Sequence, residues 1–355
     1  MKTRYSFVDE TRLREFDEVF LRAGEIIRKG GLVAFPTETV YGLGANALDK
    51  AAVKKIYVAK GRPSDNPLIV HISSLPELYS VAEEVSPEAY KLIDAFLPGP
   101  LTLIFKKKPV VPRETSGGLD TVAVRFPENV VARRFIRACG VPVAAPSANT
   151  SGRPSPTSAG HVLKDLNGKI DMIIDGGSSR LGLESTIVDL SRETPTLLRP
   201  GSITVDMLKN VIGELKIDET ILKKPSQDLC PLAPGMKYKH YSPLCDITII
   251  KGDTHAAESK IKELTAEALN QGKKCGIIAS DSDMGLFEGC GAAVLELGSK
   301  GKPETAAAGL FAVLRRCDDL GLDCAFIRAF PEEGVGLAVM NRLKKAAGYK
   351  IIDAE

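Results

Sequence analysis

The chain has 355 residues, of which 44% are hydrophobic and 26% are charged, values typical of globular proteins with a sizeable core. Its formal net charge of only +2 argues against a protein that wraps nucleic acid, which needs a strong excess of Lys and Arg. This length favours two domains. Seven cysteines without a Cys-x-x-Cys pair favour a reducing compartment. With no apolar segment typical of a secretion signal or a membrane span, the sequence predicts a cytoplasmic protein that does not enter a membrane.

The first two thirds of the chain alternate short apolar runs with amphipathic stretches, which is typical of an α/β fold. Residues 12–29 are predicted to form a helix, because apolar side chains recur on one face at spacings of three and four. Strands are predicted at residues 32–35, 68–72, 101–105, 122–125, 143–145, 172–174 and 187–190. Several of these strands are joined by loops too short for a crossover helix, so we expect a mixed sheet.

A polar, proline-rich stretch over residues 218–245 predicts a linker. Its part from 234 to 241 carries two tyrosines and a histidine, which favours a segment that folds over a pocket as a lid. After the linker, strands are predicted at 247–251, 275–280, 292–297 and 324–329, with helices near 254–270, 303–320 and 335–347. The predicted organisation is therefore a first domain over 1–217, a linker or lid over 218–245, and a smaller three-layer α/β domain over 246–355.

The common phosphate-binding and zinc-binding motifs do not occur in the sequence. No G-x-x-x-x-G-K-[ST] segment is present, which argues against an ordinary P-loop NTPase. Gly334-Val335-Gly336 opens the last predicted helix, but Val339 stands where a dinucleotide site needs a third small residue, so a helix N-cap is favoured. The four histidines have no cysteine or carboxylate at ligand spacing, which argues against a zinc site.

Three polar loops lie in the first predicted domain, over residues 36–44, 60–67 and 145–152. The first and third follow predicted strands directly, and strand ends are the usual ligand position in α/β folds. The second places two cations beside Gly61, where they can converge on one anion. One such loop is a weak signal because hydroxyl-rich turns are common, but three in one domain predict a small-molecule site.

These segments resemble the motifs of the YrdC-like threonylcarbamoyl-adenylate synthases. The matching motifs, in chain order, are PTETVYGLG, KGRPSDNPLIVH, FLPGPLT, VAVRFP, APSANTSGRPSPT, STIVDL, LRPGSI and PGMKYKHYSP. The match is strong over residues 15–245 and extends to the remainder in layout only, in the manner of the long two-domain form.

The resemblance implies a twisted, mixed α/β sheet with a concave basic face, followed by a Rossmann-like domain. It also implies a reaction in which L-threonine, bicarbonate and ATP give threonylcarbamoyl-AMP and pyrophosphate, with Mg²⁺ accompanying ATP. The product would then pass to a tRNA threonylcarbamoyl transferase that modifies the adenosine next to the anticodon.

Carried over motif by motif, the resemblance also implies a set of site residues. The residues implied for L-threonine are Thr37, His71, Arg125, Ala145 and Ser185. Those implied for ATP are Lys60, Ser64, Thr121, Ser147, Asn149, Ser155, Arg199 and Tyr238. Lys60 and Arg62 are expected to be catalytic, because they would neutralise charge as pyrophosphate leaves. The carbamate oxygen would attack the α-phosphorus directly, so no protein nucleophile and no protein metal ligand is expected.

Three other readings stay open on the sequence alone. A different carbamoyl-transfer enzyme is one, although related maturation factors carry acylphosphatase and zinc-finger modules that this chain lacks. An RNA-binding module with a basic concave face is another, and a steep salt dependence of tRNA binding would favour it. The third is a regulator that senses ATP or threonine through the second domain.

Overall fold

The computed structural model describes residues 2–223, 231–236 and 240–354. The chain divides into two compact units. The first comprises the residues up to 151 together with 155–180 and 184–237, and the second comprises 152–154, 181–183 and the residues from 238 onward. The described linker residues 231–236 therefore group with the first unit, whereas the predicted boundaries after 217 and 245 stay predictions. Among the described residues, no helix is both long and apolar enough to cross a membrane.

In the described part of the first unit, eleven strands form one sheet. The strands are β1 Arg4–Phe7, β2 Val33–Phe35, β3 Gly42–Asn46, β4 Ile69–His71, β5 Leu101–Lys106, β6 Thr121–Arg125, β7 Val143–Ala144, β8 Met172–Asp175, β9 Thr186–Asp189, β10 Thr196–Arg199 and β11 Lys216–Ile217. Their order is β1-β8-β2-β3-β7-β4-β6-β5-β9-β10-β11. Both parallel pairs, such as β4 with β6, and antiparallel pairs, such as β5 with β6, occur, so the predicted mixed sheet is confirmed.

Helices cover this sheet. They are α1 Asp17–Arg28, α2 Lys50–Lys60, α3 Leu78–Val81, α4 Pro87–Phe96, α5 Val130–Cys139, α6 Ala159–Leu166, α7 Val205–Ile212 and α8 Glu219–Leu222, with 3₁₀ turns at Glu10–Phe16 and Leu75–Glu77. The main core lies where α1 and α5 pack on β2 and β8, with Phe20, Ile27, Phe35 and Phe135 all fully buried. Gly24 permits the close crossing of these two helices, because a Cβ there would lie 2.3 Å from the carbonyl oxygen of Ala138.

Most predicted strands of this unit are confirmed to within one or two residues, but four strands were not predicted. They are β1, β3, β10 and β11. Strand β3 begins inside the segment 36–44 that was interpreted as a polar loop, and it pairs with β2 through Gly42 opposite Phe35 and Gly44 opposite Val33. A Cβ on Gly44 would lie 2.8 Å from a methyl carbon of Val143, so this strand needs glycine for close packing. Because glycine is poor in strand propensity, the composition of the segment concealed the strand.

The second unit contains a smaller sheet. Its elements are β12 Asp246–Lys251, α9 Thr254–Asn270, β13 Cys275–Ala279, a 3₁₀ segment Asp281–Phe287, β14 Ala293–Glu296, α10 Pro303–Asp319, β15 Cys324–Arg328, α11 Val335–Ala346 and β16 Ile351–Asp353. The strand order is β14-β13-β15-β12-β16, and every pair in it is parallel. The carboxyl ends of all five strands therefore lie at one edge. The predicted strands and helices of this Rossmann-like unit are confirmed, as is Gly334 at the N-cap of α11.

Candidate active site

The sheet register brings three polar side chains of the first unit into one row. His71 and Arg125 are the last residues of the parallel strands β4 and β6, and they face each other in the register. Thr102 of β5 pairs with Arg125 from the other side. The backbone pairing of β4, β5 and β6 fixes the relative positions of these three residues.

Arg125 is held at its strand end by a buried ion pair. Its Nη2 donates to Oε1 of Glu38 at 2.7 Å, and each side chain is only 4% exposed. Its Nη1 donates to Oγ1 of Thr39 at 2.8 Å, and that hydroxyl lies 2.8 Å from Oγ1 of Thr37. Burial acts to raise the pKa of Glu38, but the charge and hydrogen bond of Arg125 lower that pKa below its usual range. Among the described residues, Nε of Arg125 is buried without a hydrogen-bond partner.

His71 lies in this cluster as a neutral side chain. It is 3% exposed, its Nδ1 lies 3.1 Å from the carbonyl oxygen of Ile69, and its ring packs edge-on against Phe35. Burial, and then the positive charge of Arg125, lower the pKa of His71 from 6.5 to about 3. The imidazole is therefore uncharged at neutral pH and does not add a second cation beside Arg125.

Ser185 and Arg199 extend the row from the other end of the site. Oγ of Ser185 lies 2.7 Å from Oγ1 of Thr102, and Arg199 donates from Nη2 to Oγ of Ser185 at 3.1 Å. Arg199 also donates from Nε to the carbonyl oxygen of Ser185 at 2.9 Å. Arg199, which the resemblance implies for ATP, is 5% exposed and is therefore a buried part of this arrangement.

The second polar loop meets the third through Lys60. This residue ends α2, and Gly61 follows it in the left-handed conformation, with φ of 62°. The ammonium group of Lys60, which is 2% exposed, donates to the carbonyl oxygens of Ser147 at 2.6 Å and Asn149 at 2.5 Å. Lys60 thereby fixes the loop that carries Ser147 and Asn149. Arg62 is also buried, and it donates to the carbonyl oxygen of Pro67 at 3.1 Å.

Backbone bonds connect these loops to the row at the strand ends. The N–H of Ala145 donates to the carbonyl oxygen of Ile69 at 2.8 Å, next to His71. Ser155 donates from Oγ to Oε1 of Glu184 at 2.5 Å, which ties the loop after residue 152 to the segment that carries Ser185. The structure thus brings together most of the residues predicted for the site.

Two of the described predicted residues, Thr121 and Ser64, are not joined to this arrangement. Thr121 begins β6 whereas Arg125 ends it, a separation of roughly 13 Å along the strand. Thr121 lines a separate shallow pocket with Lys107 and Ser191. Ser64 is exposed in the loop after α2. Tyr238 lies outside the described residues.

Sequence reasoning did not include Glu38, Thr39, Thr102 or Glu184 among the site residues, although the structure places all four in it. Glu38 and Thr39 lie in the first polar loop. A search of the polar loops for an acidic partner of Arg125 could therefore have found Glu38. Thr102 lies inside an apolar strand, and only the register reveals its role.

The described part of the predicted lid packs on the first unit. Ala233 is fully buried and Met236 is 3% exposed, in a cluster with Ile69, Ile187 and Leu198. In addition, the carbonyl oxygen of Pro234 accepts a hydrogen bond from Nη1 of Arg199 at 3.2 Å. Residues 231–236 therefore lie beside the site.

We expect His71 to make folding stability depend on pH. Because its pKa is about 3 when folded and 6.5 when exposed, the unfolded chain binds more protons between these values, so stability falls as pH drops below 6.5. The slope contributed by His71 is about 1.4 kcal/mol per pH unit. In urea unfolding followed by circular dichroism, His71→Gln should lose less stability than the wild type between pH 6.5 and 4.5. The exposed His255→Gln is the control, and an equal loss in the wild type and His71→Gln would contradict the prediction.

Two family models match this chain. One, described as "Telomere recombination", matches residues 25–201. The other, described as "Threonylcarbamoyl-AMP synthase, C-terminal domain", matches residues 203–348. Together they span both units.

Curated proteins and solved structures resemble the chain over its whole length. Threonylcarbamoyl-AMP synthase of Pyrococcus abyssi is 50% identical over 93% of this chain and 94% of its own. That of Bacillus subtilis is 44% identical over 99% of this chain and 100% of its own. A crystal structure of P. abyssi Sua5 complexed with L-threonine matches with a TM-score of 0.90 and 46% identity, covering 100% of both chains. The chain therefore belongs to the threonylcarbamoyl-AMP synthase family, in its two-domain form.

Proposed function

We propose that this protein is an L-threonylcarbamoyladenylate synthase, which converts L-threonine, bicarbonate and ATP to threonylcarbamoyl-AMP and pyrophosphate. The observation that carries the proposal is the buried Arg125, whose Nε has no acceptor among the described residues and which lies beside neutral His71. Such a guanidinium group is suited to the carboxylate of an amino acid. Full-length relatives named threonylcarbamoyl-AMP synthase support this reading over an RNA-binding module or another carbamoyl-transfer enzyme.

Each group in the row has a role toward L-threonine in this proposal. Arg125 binds the carboxylate, the hydroxyls of Thr37 and Ser185 and the backbone of Ala145 orient the amino acid, and His71 offers a neutral hydrogen bond. Burial beside a cation lowers the pKa of a bound amine. The pocket would thereby favour the neutral amine, which is the form that takes up carbon dioxide or bicarbonate to give a carbamate.

ATP would lie along the loops held by Lys60. The carbamate oxygen attacks the α-phosphorus, and the bond to the leaving pyrophosphate breaks. Lys60 and Arg62 neutralise charge on that leaving group, and Ser147, Asn149, Ser155 and Arg199 position the nucleotide. Mg²⁺ would arrive with the ATP phosphates. Within the described ranges no cluster of three or more His, Cys, Asp or Glu side chains is placed to hold a metal ion, so we assign no protein ligand.

The later fate of the product is a further part of the proposal. The threonylcarbamoyl group would pass to a tRNA threonylcarbamoyl transferase for the adenosine beside the anticodon, and the concave basic face that the resemblance implies would contact RNA. A cytoplasmic location is the corresponding expectation. Ser64, Thr121 and Tyr238 keep their predicted ATP-binding role as proposals.

Pyrophosphate release tests the proposed reaction. Purified protein with ATP and Mg²⁺ should release pyrophosphate only when L-threonine and bicarbonate are both present. Lys60→Ala should be folded and lose on the order of 10² to 10³ in rate, because an electrostatic stabiliser and the support of the 147–149 loop are both removed.

Lys54→Ala is the matched control for this assay, since Lys54 lies on the same helix with a side chain that is 64% exposed. It should keep wild-type activity. Pyrophosphate release at the same rate with and without L-threonine would refute the proposed reaction. Full activity in Lys60→Ala would refute the role of that residue.

The lid proposal predicts that the segment after residue 230 assists catalysis. A chain that ends at residue 230 lacks the buried Ala233 and Met236 and the carbonyl that binds Arg199. Its kcat/KM for L-threonine should fall, while circular dichroism should still report a folded first unit. An unchanged kcat/KM in the shortened chain would count against a lid.

A further inference from the structure

The second unit contains a pocket that the proposed synthase reaction does not use. It has a volume of about 270 Å³ and lies at the carboxyl edge of the parallel sheet. Ala279 at the end of β13 and Arg328 at the end of β15 line it, as does the loop between β14 and α10. Ligands of open α/β sheets bind at this edge, outside the carboxyl ends of the strands. The position therefore suits a ligand.

The inner surface of the pocket is apolar. Its lining includes Ile261, Ile278, Phe287, Leu297 and Ile327, each no more than 5% exposed. An apolar lining of this kind contacts a planar ring or an aliphatic group favourably, because water is released from both surfaces. This surface thus favours a ligand with an apolar or planar body.

One wall of the pocket is a glycine-rich loop with two lysines. Residues 298–302 read Gly-Ser-Lys-Gly-Lys and lead into α10, which is 17 residues long. Gly298 has φ of 64°, and a Cβ there would lie 2.5 Å from the backbone nitrogen of Ala306, so the loop packs tightly on the start of the helix. Lys300 and Lys302 are exposed beside it. The two ammonium groups favour an anion at this wall.

A buried carboxylate holds two cations of the pocket in place, and its single negative charge offsets only one of them. Asp283 is 9% exposed, and it binds Nζ of Lys300 at 2.8 Å and lies 3.7 Å from Nη2 of Arg328. Burial acts to raise the pKa of Asp283, but the hydrogen bond from Lys300 and both nearby charges lower it below the usual range, so the group stays ionised. Two cations share one carboxylate here.

Two other carboxylates line the pocket. Glu258 accepts a hydrogen bond from Lys262 at 2.6 Å, which offsets its charge, and Glu333 is exposed at the rim. Lys302 adds a third cation to Lys300 and Arg328, so the lining contains three cations and the three carboxylates Asp283, Glu258 and Glu333, with the cations concentrated at the loop.

We propose that this pocket binds a small molecule with a planar or apolar body and one phosphate group, of the size of a nucleoside monophosphate. The body would lie on the apolar surface, and the phosphate would lie at the 298–302 loop with Lys300, Lys302 and Arg328. A phosphate dianion suits this wall better than a carboxylate, because its two negative charges can pair with more than one of the cations Lys300, Lys302 and Arg328. This ligand site is additional to the synthase site and does not depend on it.

Hydrogen–deuterium exchange of the full chain, read by mass spectrometry, tests the site with AMP as the probe. AMP should slow exchange in peptides that cover residues 279–303 and 326–336. Adenosine, which lacks the phosphate, should need on the order of tenfold higher concentration or more for the same effect. Because peptides of the first unit are read separately, AMP bound at the synthase site does not confuse the result, and a failed synthase assay leaves this test intact.

Variants give the second arm of the test. The double variant Lys300→Ala with Lys302→Ala should lose the protection by AMP. Lys273→Ala should retain it, since Lys273 is exposed before the amino end of β13, at the opposite edge of the sheet. Absence of protection in the wild type, equal protection by adenosine, or full protection in the double variant would each overturn the proposal.

Discussion

The buried ion pair between Arg125 and Glu38 is the interaction on which the candidate site depends. Two charges with side chains only 4% exposed are costly to bury, and removing one partner of such a pair typically costs about 3–5 kcal/mol because the other is left uncompensated. Here the remaining donors are partly satisfied by Thr39, and Nε is buried without a partner among the described residues. The fold therefore holds a buried cation in a fixed position. One of its hydrogen-bond donors, Nε, has no acceptor among the described residues and is left for a ligand. Burial, together with the charge of this cation, keeps His71 neutral.

The mixed sheet is what makes this cluster possible. Strands β4, β6 and β5 are adjacent, and their register aligns His71, Arg125 and Thr102, while Ser185 joins Thr102 through a hydroxyl contact of 2.7 Å. The proposed nucleotide side is built differently, from loops that bind each other. The ammonium group of Lys60 donates hydrogen bonds to carbonyl oxygens of the 147–149 loop. Lys60 therefore holds the shape of that loop and also places a positive charge beside it. The rigid row and the loop assembly thus meet at one set of strand ends.

Much of the fold could be predicted from the sequence, because apolar periodicity marks buried strands and helices, and the second unit follows that pattern almost throughout. Strand β3 could not, since Gly42 and Gly44 are chosen for close packing on Phe35 and Val143 and carry no strand signal. For the candidate site, the polar loops that follow predicted strands indicated the correct part of the fold. The partner of Arg125 was missed because Glu38 lies 87 residues away in the chain, and the distance of Thr121 from Arg125 appears only once both are seen at opposite ends of β6.

In the proposed function, Arg125, held in place by Glu38, recognises the carboxylate of L-threonine. Isothermal titration calorimetry of the full chain with L-threonine and with L-threoninol, in which an alcohol replaces the carboxylate, tests it most directly. We expect threoninol to bind on the order of tenfold to a hundredfold more weakly, since a hydrogen bond to a charged group is lost. Equal affinity for the two compounds would contradict it.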